Sequence, residues 1–184
     1  MIYLNNLRSI SFFKIMEIDL KLRIIKPEYK VLELGCFPGG WTQYILSVYK
    51  EVKLVSIDKD QIRNFRSKNF SFIRSNIYSS NIFKLIRIAS KSNFNLIISD
   101  TCINISGIYL ADKIKYIKLI KRILLISKLF LLKGGNLLFK IMLGSLEGKI
   151  RKMFRSFFRV SFIRLSCTKN NSSEVFVYCN CFRF

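Results

Sequence analysis

Short apolar runs alternate along the chain with longer segments whose apolar residues recur at helical spacing. The short runs predict seven strands, at residues 30–34, 53–57, 70–74, 95–99, 136–141, 160–165 and 174–181. The helical spacing predicts helices at residues 41–49, 81–89, within 111–131 and at 146–158. Gly134 and Gly135 should close the third helix, and residues 169–173 should form a turn between the last two strands.

This order of elements predicts one doubly wound α/β domain spanning residues 1–184. Strands separated by helices form a largely parallel sheet, but no helix separates the last two strands, so the final strand should run antiparallel. Ligands of such sheets bind at the carboxyl ends of the strands, where the strand order reverses. The residues at or near those ends are Gly35, Asp58, Asp100 and Lys140.

The chain is strongly basic, with 32 Lys and Arg against 11 Asp and Glu and a formal net charge of +21. Such a charge predicts a polyanionic partner, because a dense field of phosphates offsets the self-repulsion. An abundance of Lys, Ile, Asn and Phe, typical of AT-rich genomes, accounts for part of the excess. Hydrophobic residues make up 51% of the chain, which excludes a disordered basic tail.

Several classes of site are excluded by composition. The chain has no histidine, which excludes Ser-His-Asp and Cys-His catalysis and any metal site with a histidine ligand. Its five cysteines form no CxxC pair, so we expect reduced thiols, no metal and a cytoplasmic location. The most apolar segment, residues 117–132, contains four Lys and Arg residues and predicts an amphipathic helix rather than a membrane span.

A glycine-rich turn joins the first predicted strand to the helix after it, in the segment VLELGCFPGGWTQYIL at residues 31–46. Glycines let the backbone approach a ligand, and a helix N-terminus offers free N–H donors. The turn matches neither the dinucleotide fingerprint GxGxxG nor the P-loop. Asp58, which follows the second strand, can accept hydrogen bonds from both hydroxyls of a ribose. An ordinary loop aspartate without a ligand is the alternative, but the combination of Asp58 with the glycine-rich turn favours an adenosyl ligand.

These motifs resemble the FtsJ/RrmJ-type RNA 2′-O-ribose methyltransferases, in the same order over most of the chain. The resemblance is carried by the Pro-Gly-Gly-Trp turn, the segment SDTCINISG at residues 99–107 and the segment FKIMLG at residues 139–144. It implies a Rossmann-like class I methyltransferase fold, with a seven-stranded, mostly parallel sheet whose last strand is antiparallel. It also implies S-adenosyl-L-methionine as cofactor, no metal, and RNA as substrate.

The family is known for a Lys-Asp-Lys-Glu tetrad, which the matching motifs place at Lys14, Asp100, Lys140 and Glu174. An N-terminal helical segment, residues 1–25, would contribute Lys14. The resemblance implies that Lys140 accepts the proton of a ribose 2′-hydroxyl while the other three orient and tune it. A lysine can do this only if its pKa falls well below about 10.4. Burial and the neighbouring Lys14 would lower the pKa, whereas the two carboxylates would oppose that shift.

The same matching implies a set of cofactor-binding residues, namely Gly35, Pro38, Gly39, Gly40, Trp41, Asp58, Asn76 and Asp100. Asn76 stands where the family has an aspartate that meets the adenine, and its side-chain oxygen can still accept from the adenine amino group. Residues 101–103, Thr-Cys-Ile, stand where the family usually has Met-Ala-Pro.

We expect RNA to lie across the strand ends, guided by basic side chains. The candidates are Arg8, Lys149, Arg151, Lys152 and Arg155. The resemblance implies methylation of a uridine in large-subunit ribosomal RNA, by a monomer that does not bind membranes. The alternatives are a tRNA or mRNA-cap 2′-O-methyltransferase, and a catalytically inactive RNA-binding factor in ribosome assembly. A dinucleotide oxidoreductase would retain NAD instead.

Overall fold

The computed structural model describes residues 7–63, 65–142, 146–166 and 173–184, which form seven strands and five helices. The strands are β1 (Lys30–Leu34), β2 (Lys53–Asp58), β3 (Phe70–Arg74), β4 (Phe94–Ser99), β5 (Leu131–Ile141), β6 (Arg159–Ile163) and β7 (Val175–Asn180). The helices are α1 (Ser11–Leu22), α2 (Gly40–Val48), α3 (Ile82–Ser90), α4 (Tyr109–Phe130) and α5 (Glu147–Phe154).

All seven strands belong to one sheet, in the order β3-β2-β1-β4-β5-β7-β6. The strands β1 to β5 pair in parallel, and β7 lies between β5 and β6, antiparallel to both. The predicted α/β class and the antiparallel last strand are therefore confirmed. The strand order reverses between β1 and β4, so the loops after these two strands diverge and open a crevice at the carboxyl edge.

Helices cover both faces of the sheet. α1 and α2 pack on one face, around Phe12, Trp41 and Phe176. α3, α4 and α5 pack on the other face, around Ile86 and Phe154. Parallel strands covered on both sides need apolar residues on both sides, which explains the nearly continuous apolar runs of β1 and β4. In the described ranges, no helix has both the length and the apolar character needed to cross a membrane.

The boundary between α4 and β5 differs from the prediction. α4 ends at Phe130 and β5 begins at Leu131, so Gly134 and Gly135 lie inside the strand instead of closing the helix. The C-terminal residues explain the difference. Gly134 donates its N–H to the carbonyl of Phe182, and Phe182 donates to the carbonyl of Gly135, both at 2.8 Å. These bonds continue the antiparallel hydrogen bonding beyond β7 and hold the glycines in the sheet.

α5 is shorter than predicted, because the chain turns after Phe154, whose carbonyl accepts backbone bonds from Phe157 and Phe158 at 2.9 Å. β6 begins one residue before the predicted strand and ends two residues before its predicted end. α1 lies within the predicted helical segment, residues 1–25. Residues 169–172 of the predicted turn lie outside the described residues, as do Gly144 and Cys167.

Candidate active site

Four charged side chains from four parts of the chain meet at the carboxyl edge of the sheet. Lys140 Nζ lies 2.6 Å from Asp100 Oδ1 and 3.8 Å from Glu174 Oε1. Lys14 Nζ lies 2.6 Å from Glu174 Oε2 and donates to Oε1 of the same carboxylate at 2.8 Å. Their side chains are only 7% to 19% exposed. The structure thus brings together the four residues of the predicted tetrad.

The register of the sheet explains how three of these residues meet. Lys140 of β5 pairs with Phe176 of β7, and Ile141 pairs with Val175, so Glu174 lies beside the end of β5. Asp100 follows the last residue of β4, the other neighbour of β5. Side chains alternate between the two faces of a strand, which places Lys140 on the same face as Leu138, the face covered by α1. Lys14 reaches the cluster from that helix.

Burial and charge act in opposite directions on Lys140. Loss of water lowers the pKa of its ammonium, but the Asp100 carboxylate and the Cys102 side chain raise it more, so the net pKa lies above the ordinary value. Burial also raises the pKa of Asp100, against the attraction of Lys140. Within this cluster the pKa of Lys140 is therefore raised, the opposite of the shift that a proton acceptor needs. The reason is the direct 2.6 Å contact of its Nζ with Asp100 Oδ1.

Two further side chains border the charged cluster, and neither of them is among the site residues predicted from the sequence. Cys102 forms a hydrogen bond with Lys140. Tyr116 of α4 is 1% exposed, and its hydroxyl has no hydrogen-bond partner among the described residues. Burial raises the pKa of Tyr116 to about 12, and Cys102 adds to the shift. The sequence carries no signal for Tyr116, because it occupies an ordinary apolar position of an amphipathic helix.

The glycine-rich loop after β1 packs closely against neighbouring segments. A Cβ atom on Gly35, whose φ is +75°, would come within 2.9 Å of the Thr101 Cα. Gly39 precedes α2 with φ +111°, and a Cβ on Gly40 would meet the serine hydroxyls at the start of α1. A side chain fits poorly at any of the three positions. The three glycines therefore let the loop pack directly against Thr101 and against the segment around Arg8 and Ser9.

Two polar residues at the rim of the crevice make local hydrogen bonds. Asp58 ends β2, and its carboxylate accepts the N–H of Phe37 at 2.8 Å and that of Asp60 at 3.0 Å. Each carboxylate oxygen has a further lone pair, so Asp58 can also accept from a ligand. Asn76, after β3, is exposed, and its side-chain oxygen accepts the N–H of Tyr78 at 2.9 Å.

Trp41 and Pro38 occupy different surroundings in the same loop. Trp41 is 1% exposed and packs on Phe176 with ring centroids 6.1 Å apart. Its indole N–H has no hydrogen-bond partner among the described residues. Pro38 is exposed. The Trp41 side chain belongs to the core, so its contact with a cofactor stays a prediction.

The predicted RNA-contact residues lie on two separate elements. Lys149, Arg151 and Lys152 of α5 and Arg155 just after it are all exposed. Arg8 lies elsewhere, before α1. Its backbone N–H donates to the side chain of Gln43, and its guanidinium donates to the Arg63 carbonyl at 2.7 Å.

Comparison with known proteins gives one consistent result. The family model described as FtsJ-like methyltransferase matches residues 7–182. A protein of Wigglesworthia glossinidia brevipalpis named ribosomal RNA large subunit methyltransferase E is 34% identical over 173 residues, which cover 92% of this chain and 83% of that protein. The Borrelia duttonii protein of the same name is 32% identical over 167 residues, covering 90% and 85%. A solved structure from Plasmodium falciparum, provisionally assigned as a ribosomal RNA methyltransferase, superposes with a TM-score of 0.82 at 27% identity, covering 95% and 98%.

Proposed function

Because the chain belongs to the FtsJ-like methyltransferase family, we propose that it transfers a methyl group from S-adenosylmethionine to a ribose 2′-hydroxyl of RNA. The observation that carries this proposal is the buried cluster of Lys14, Asp100, Lys140 and Glu174 at the edge where the glycine-rich loop ends β1. The names of the relatives support large-subunit ribosomal RNA as the substrate. The target within it is proposed to be a uridine.

The residues around the crevice fit this cofactor. S-adenosylmethionine would supply a methyl group bound to a positively charged sulfur. After transfer of the methyl group, the sulfur would be part of a neutral thioether, the leaving group. Asp58 would accept the ribose hydroxyls through its remaining lone pairs, and Asn76 would face the adenine. Gly35 and Gly39 have positive φ values of +75° and +111°, which let the loop make the tight turn that leads into α2. Asp100 adds a buried negative charge at the same edge, which favours a cationic group nearby.

Lys140 is the proposed proton acceptor, and Asp100 makes that role possible. In the ligand-free site Lys140 is an ammonium, so it must first lose a proton. Its Nζ can pass that proton to Asp100 Oδ1 across 2.6 Å, and burial has already raised the pKa of this carboxyl. An RNA that covers the site excludes water, which favours the neutral amine and carboxylic acid over the buried ion pair. The amine of Lys140 then accepts the 2′-hydroxyl proton.

Lys14 and Glu174 are proposed to position the reacting groups. Glu174 holds the Lys14 ammonium at 2.6 Å and approaches Lys140 at 3.8 Å, so one carboxylate fixes both amines. The four formal charges sum to zero, which limits the cost of burying them together. Fixed positioning of the nucleophile toward the methyl group can itself lower a barrier by roughly 7–11 kcal/mol.

The test is methyl transfer from radiolabelled S-adenosylmethionine to large-subunit ribosomal RNA lacking the modification, followed by nucleoside analysis. Wild-type protein should yield a 2′-O-methylated nucleoside. Lys140→Ala and Lys140→Arg should both reduce the rate by about 10²–10⁴-fold, because an arginine keeps the charge but does not release its proton. Lys133→Arg, at an exposed position early in β5, is the matched control and should label RNA like wild type.

Each outcome distinguishes a competing hypothesis. If Lys140→Arg transfers methyl groups as fast as wild type, Lys140 is not the acceptor. Label on a base instead of a ribose would contradict 2′-O transfer. Label that enters only tRNA or capped mRNA would support the alternative substrates. An absence of label with every RNA, in protein that binds RNA, would support an inactive assembly factor.

A further inference from the structure

A groove of about 1070 Å³ lies beside the cofactor loop, and Pro38 of that loop forms part of its lining. Its walls are the segment before α1, the exposed side of α2, residues 61–63 and 65–67 after β2, and the pair Phe37 and Pro38. Among the described residues, none of the four charged cluster residues lines it. The groove is therefore a separate surface that adjoins the cofactor loop from outside the cluster.

The charge of this groove is entirely positive among its described lining residues. They include Arg8, Lys50, Arg63 and Arg66, and no aspartate or glutamate. Arg8 donates to the backbone carbonyl of Arg63 at 2.7 Å, which holds two arginines close together. Burial lowers the pKa of Arg8, and the charge of Arg63 lowers it further. Cations that line a groove without carboxylates among the lining residues form a binding surface for anions, because a bound anion relieves their repulsion.

Aromatic rings lie among these cations. The Arg8 guanidinium stacks over the Phe65 ring, 3.5 Å from its centroid. Phe37 stands at the rim with 54% of its surface exposed, although a large apolar side chain gains by burial. Grooves that bind single-stranded nucleic acid combine cations for the phosphates with rings on which bases stack. A row of phosphates alone would need no rings, so the mixture points to unpaired nucleotides.

The groove is directly continuous with the cofactor loop. A Cβ on Gly39 would lie 3.1 Å from the Arg8 Cδ and 3.3 Å from the Phe65 Cζ. Phe37 donates its N–H to Asp58, the carboxylate proposed to hold the cofactor ribose. A single strand of RNA bound in the groove would therefore reach the glycine-rich loop, which borders the four-residue charged cluster.

We propose that this groove binds a single-stranded RNA segment that flanks the methylated nucleotide, an inference that rests on the proposed function. The guanidinium groups of Arg63 and Arg66 contact phosphates, and Phe37 and Phe65 stack on unpaired bases. The groove adjoins the loop after β1, and the exposed cations of α5 come after β5 in the chain.

Fluorescence anisotropy with a labelled oligouridylate tests the proposal without requiring catalysis. The double variant Arg63→Gln/Arg66→Gln should bind at least about tenfold more weakly than wild type at low salt. Its plot of log K against log salt should be shallower by about 1.4, since each lost phosphate contact on a single strand removes about 0.7. Lys84→Gln/Lys133→Gln removes the same charge from exposed positions outside the groove and should change the slope by less than half as much.

Crosslinking locates the RNA directly. Oligonucleotides carrying 4-thiouridine should crosslink to the peptides that contain Phe37 and Phe65 in wild type, and much less in the double variant. An unchanged salt slope in that variant, or crosslinks confined to α5, would overturn the groove proposal. Equal affinity for a duplex of the same length would also overturn it, because a duplex hides its bases from the rings.

The failures of the two proposals can be told apart. Protein that methylates ribosomal RNA but shows the same binding with and without Arg63 and Arg66 overturns only the groove. Protein whose oligouridylate binding depends on these arginines but which transfers no methyl group supports the groove and overturns the catalytic proposal. Thermal unfolding of each variant, expected to match wild type, shows that the substitutions leave the fold intact.

Discussion

Glu33 in β1 is a carboxyl group placed entirely inside the protein, with 0% of its surface exposed. Its Oε2 atom accepts hydrogen bonds from Ser56 at 2.6 Å and from Thr42 at 2.5 Å. Its Oε1 atom has no hydrogen-bond partner among the described residues. Burial raises the pKa of Glu33 to about 7, although the two hydroxyl donors oppose the shift.

This residue predicts how stability depends on pH. The folded-state pKa of about 7 lies above the ordinary value of 4.5, so between these values the folded protein binds more protons than the unfolded chain. The stabilising contribution is complete below about pH 4.5 and is lost as the pH rises through 7. Glu33→Gln should remove this dependence. Relative to wild type, the variant should gain about 3 kcal/mol in free energy of unfolding between about pH 5 and pH 8.

Urea denaturation at several pH values measures this difference. Asp60→Asn, at an exposed carboxylate, provides the matched control and should parallel wild type across the range. A Glu33→Gln variant whose stability falls with pH as steeply as wild type would show that Glu33 is not the group that titrates.

Lys140 shows what the residue scale can and cannot predict. A lysine that interrupts the apolar run of β5 is conspicuous in the sequence, and it was assigned to the site. The direction of its pKa shift is not predictable from the sequence, because it depends on the 2.6 Å contact between Lys140 Nζ and Asp100 Oδ1. The electrostatic energy between two charged side chains at contact distance changes by several kcal/mol over small displacements. The spacing of residues along the chain does not determine such distances.

At the scale of elements, the packing of α1 on α2 delivers Lys14 to the cluster. Gly40, the first residue of α2, allows this approach, since a Cβ there would meet the hydroxyls of Ser9 and Ser11 and lie 3.0 Å from the Phe12 nitrogen. The two helices can come this close only because α2 begins without a side chain. The position of Lys14 is therefore set by a glycine on a different helix.

Gly40→Ala should consequently separate α1 from α2. We expect a loss of about 1–3 kcal/mol in stability from the crowding. We also expect methyl transfer to fall by more than the stability loss explains, because Lys14 moves relative to Glu174. Gly148→Ala in α5 is the control, since nothing lies within 4 Å of the added Cβ. It should stabilise the protein by up to about 1 kcal/mol.

Chemical denaturation and the methyl-transfer assay, run on the same preparations, measure both effects. Equal stability of Gly40→Ala and wild type would mean that α1 accommodates the extra methyl group. Loss of stability with unchanged transfer per folded molecule would mean that Lys14 keeps its place, and the argument about α1 would then be wrong.

Element boundaries were predicted well only where local chemistry sets them. β1 and β3 begin and end as the apolar pattern predicts, and Gly35 directly follows the last residue of β1. The α4–β5 boundary was misplaced because residues about fifty positions further along the chain, around Phe182, pair with Gly134 and Gly135. A glycine pair after a helix normally ends it, but long-range pairing gave these two a strand position instead.

At the scale of the whole molecule, binding of an adenosine-containing cofactor should raise the free energy of unfolding, and the proposed function predicts which cofactor does so. S-adenosylmethionine at a concentration about 100 times its Kd should add about 2.7 kcal/mol to the free energy of unfolding. For a chain of this size, that corresponds to a rise in Tm of roughly 5–11 °C. NAD should cause no rise, because the loop lacks the dinucleotide fingerprint.

Differential scanning fluorimetry, with and without each ligand, makes the measurement. Asp58→Ala should abolish the rise in Tm with S-adenosylmethionine, whereas Asp60→Ala should keep it. A rise with NAD alone would contradict the proposed cofactor class and would favour an oxidoreductase.

The sequence by itself determined the order of strands and helices, the parallel sheet with an antiparallel last strand, and the glycine-rich loop. The four residues of the cluster came from the resemblance of its motifs to the methyltransferase family. Periodicity, turn chemistry and short motifs are local properties, so they are legible along the chain. Only the tertiary structure decided the protonation of Lys140, the role of Gly40, the neighbourhood of Tyr116 and the arginine-lined groove. Each of these depends on distances between side chains that are far apart in sequence, and burial and charge act through those distances.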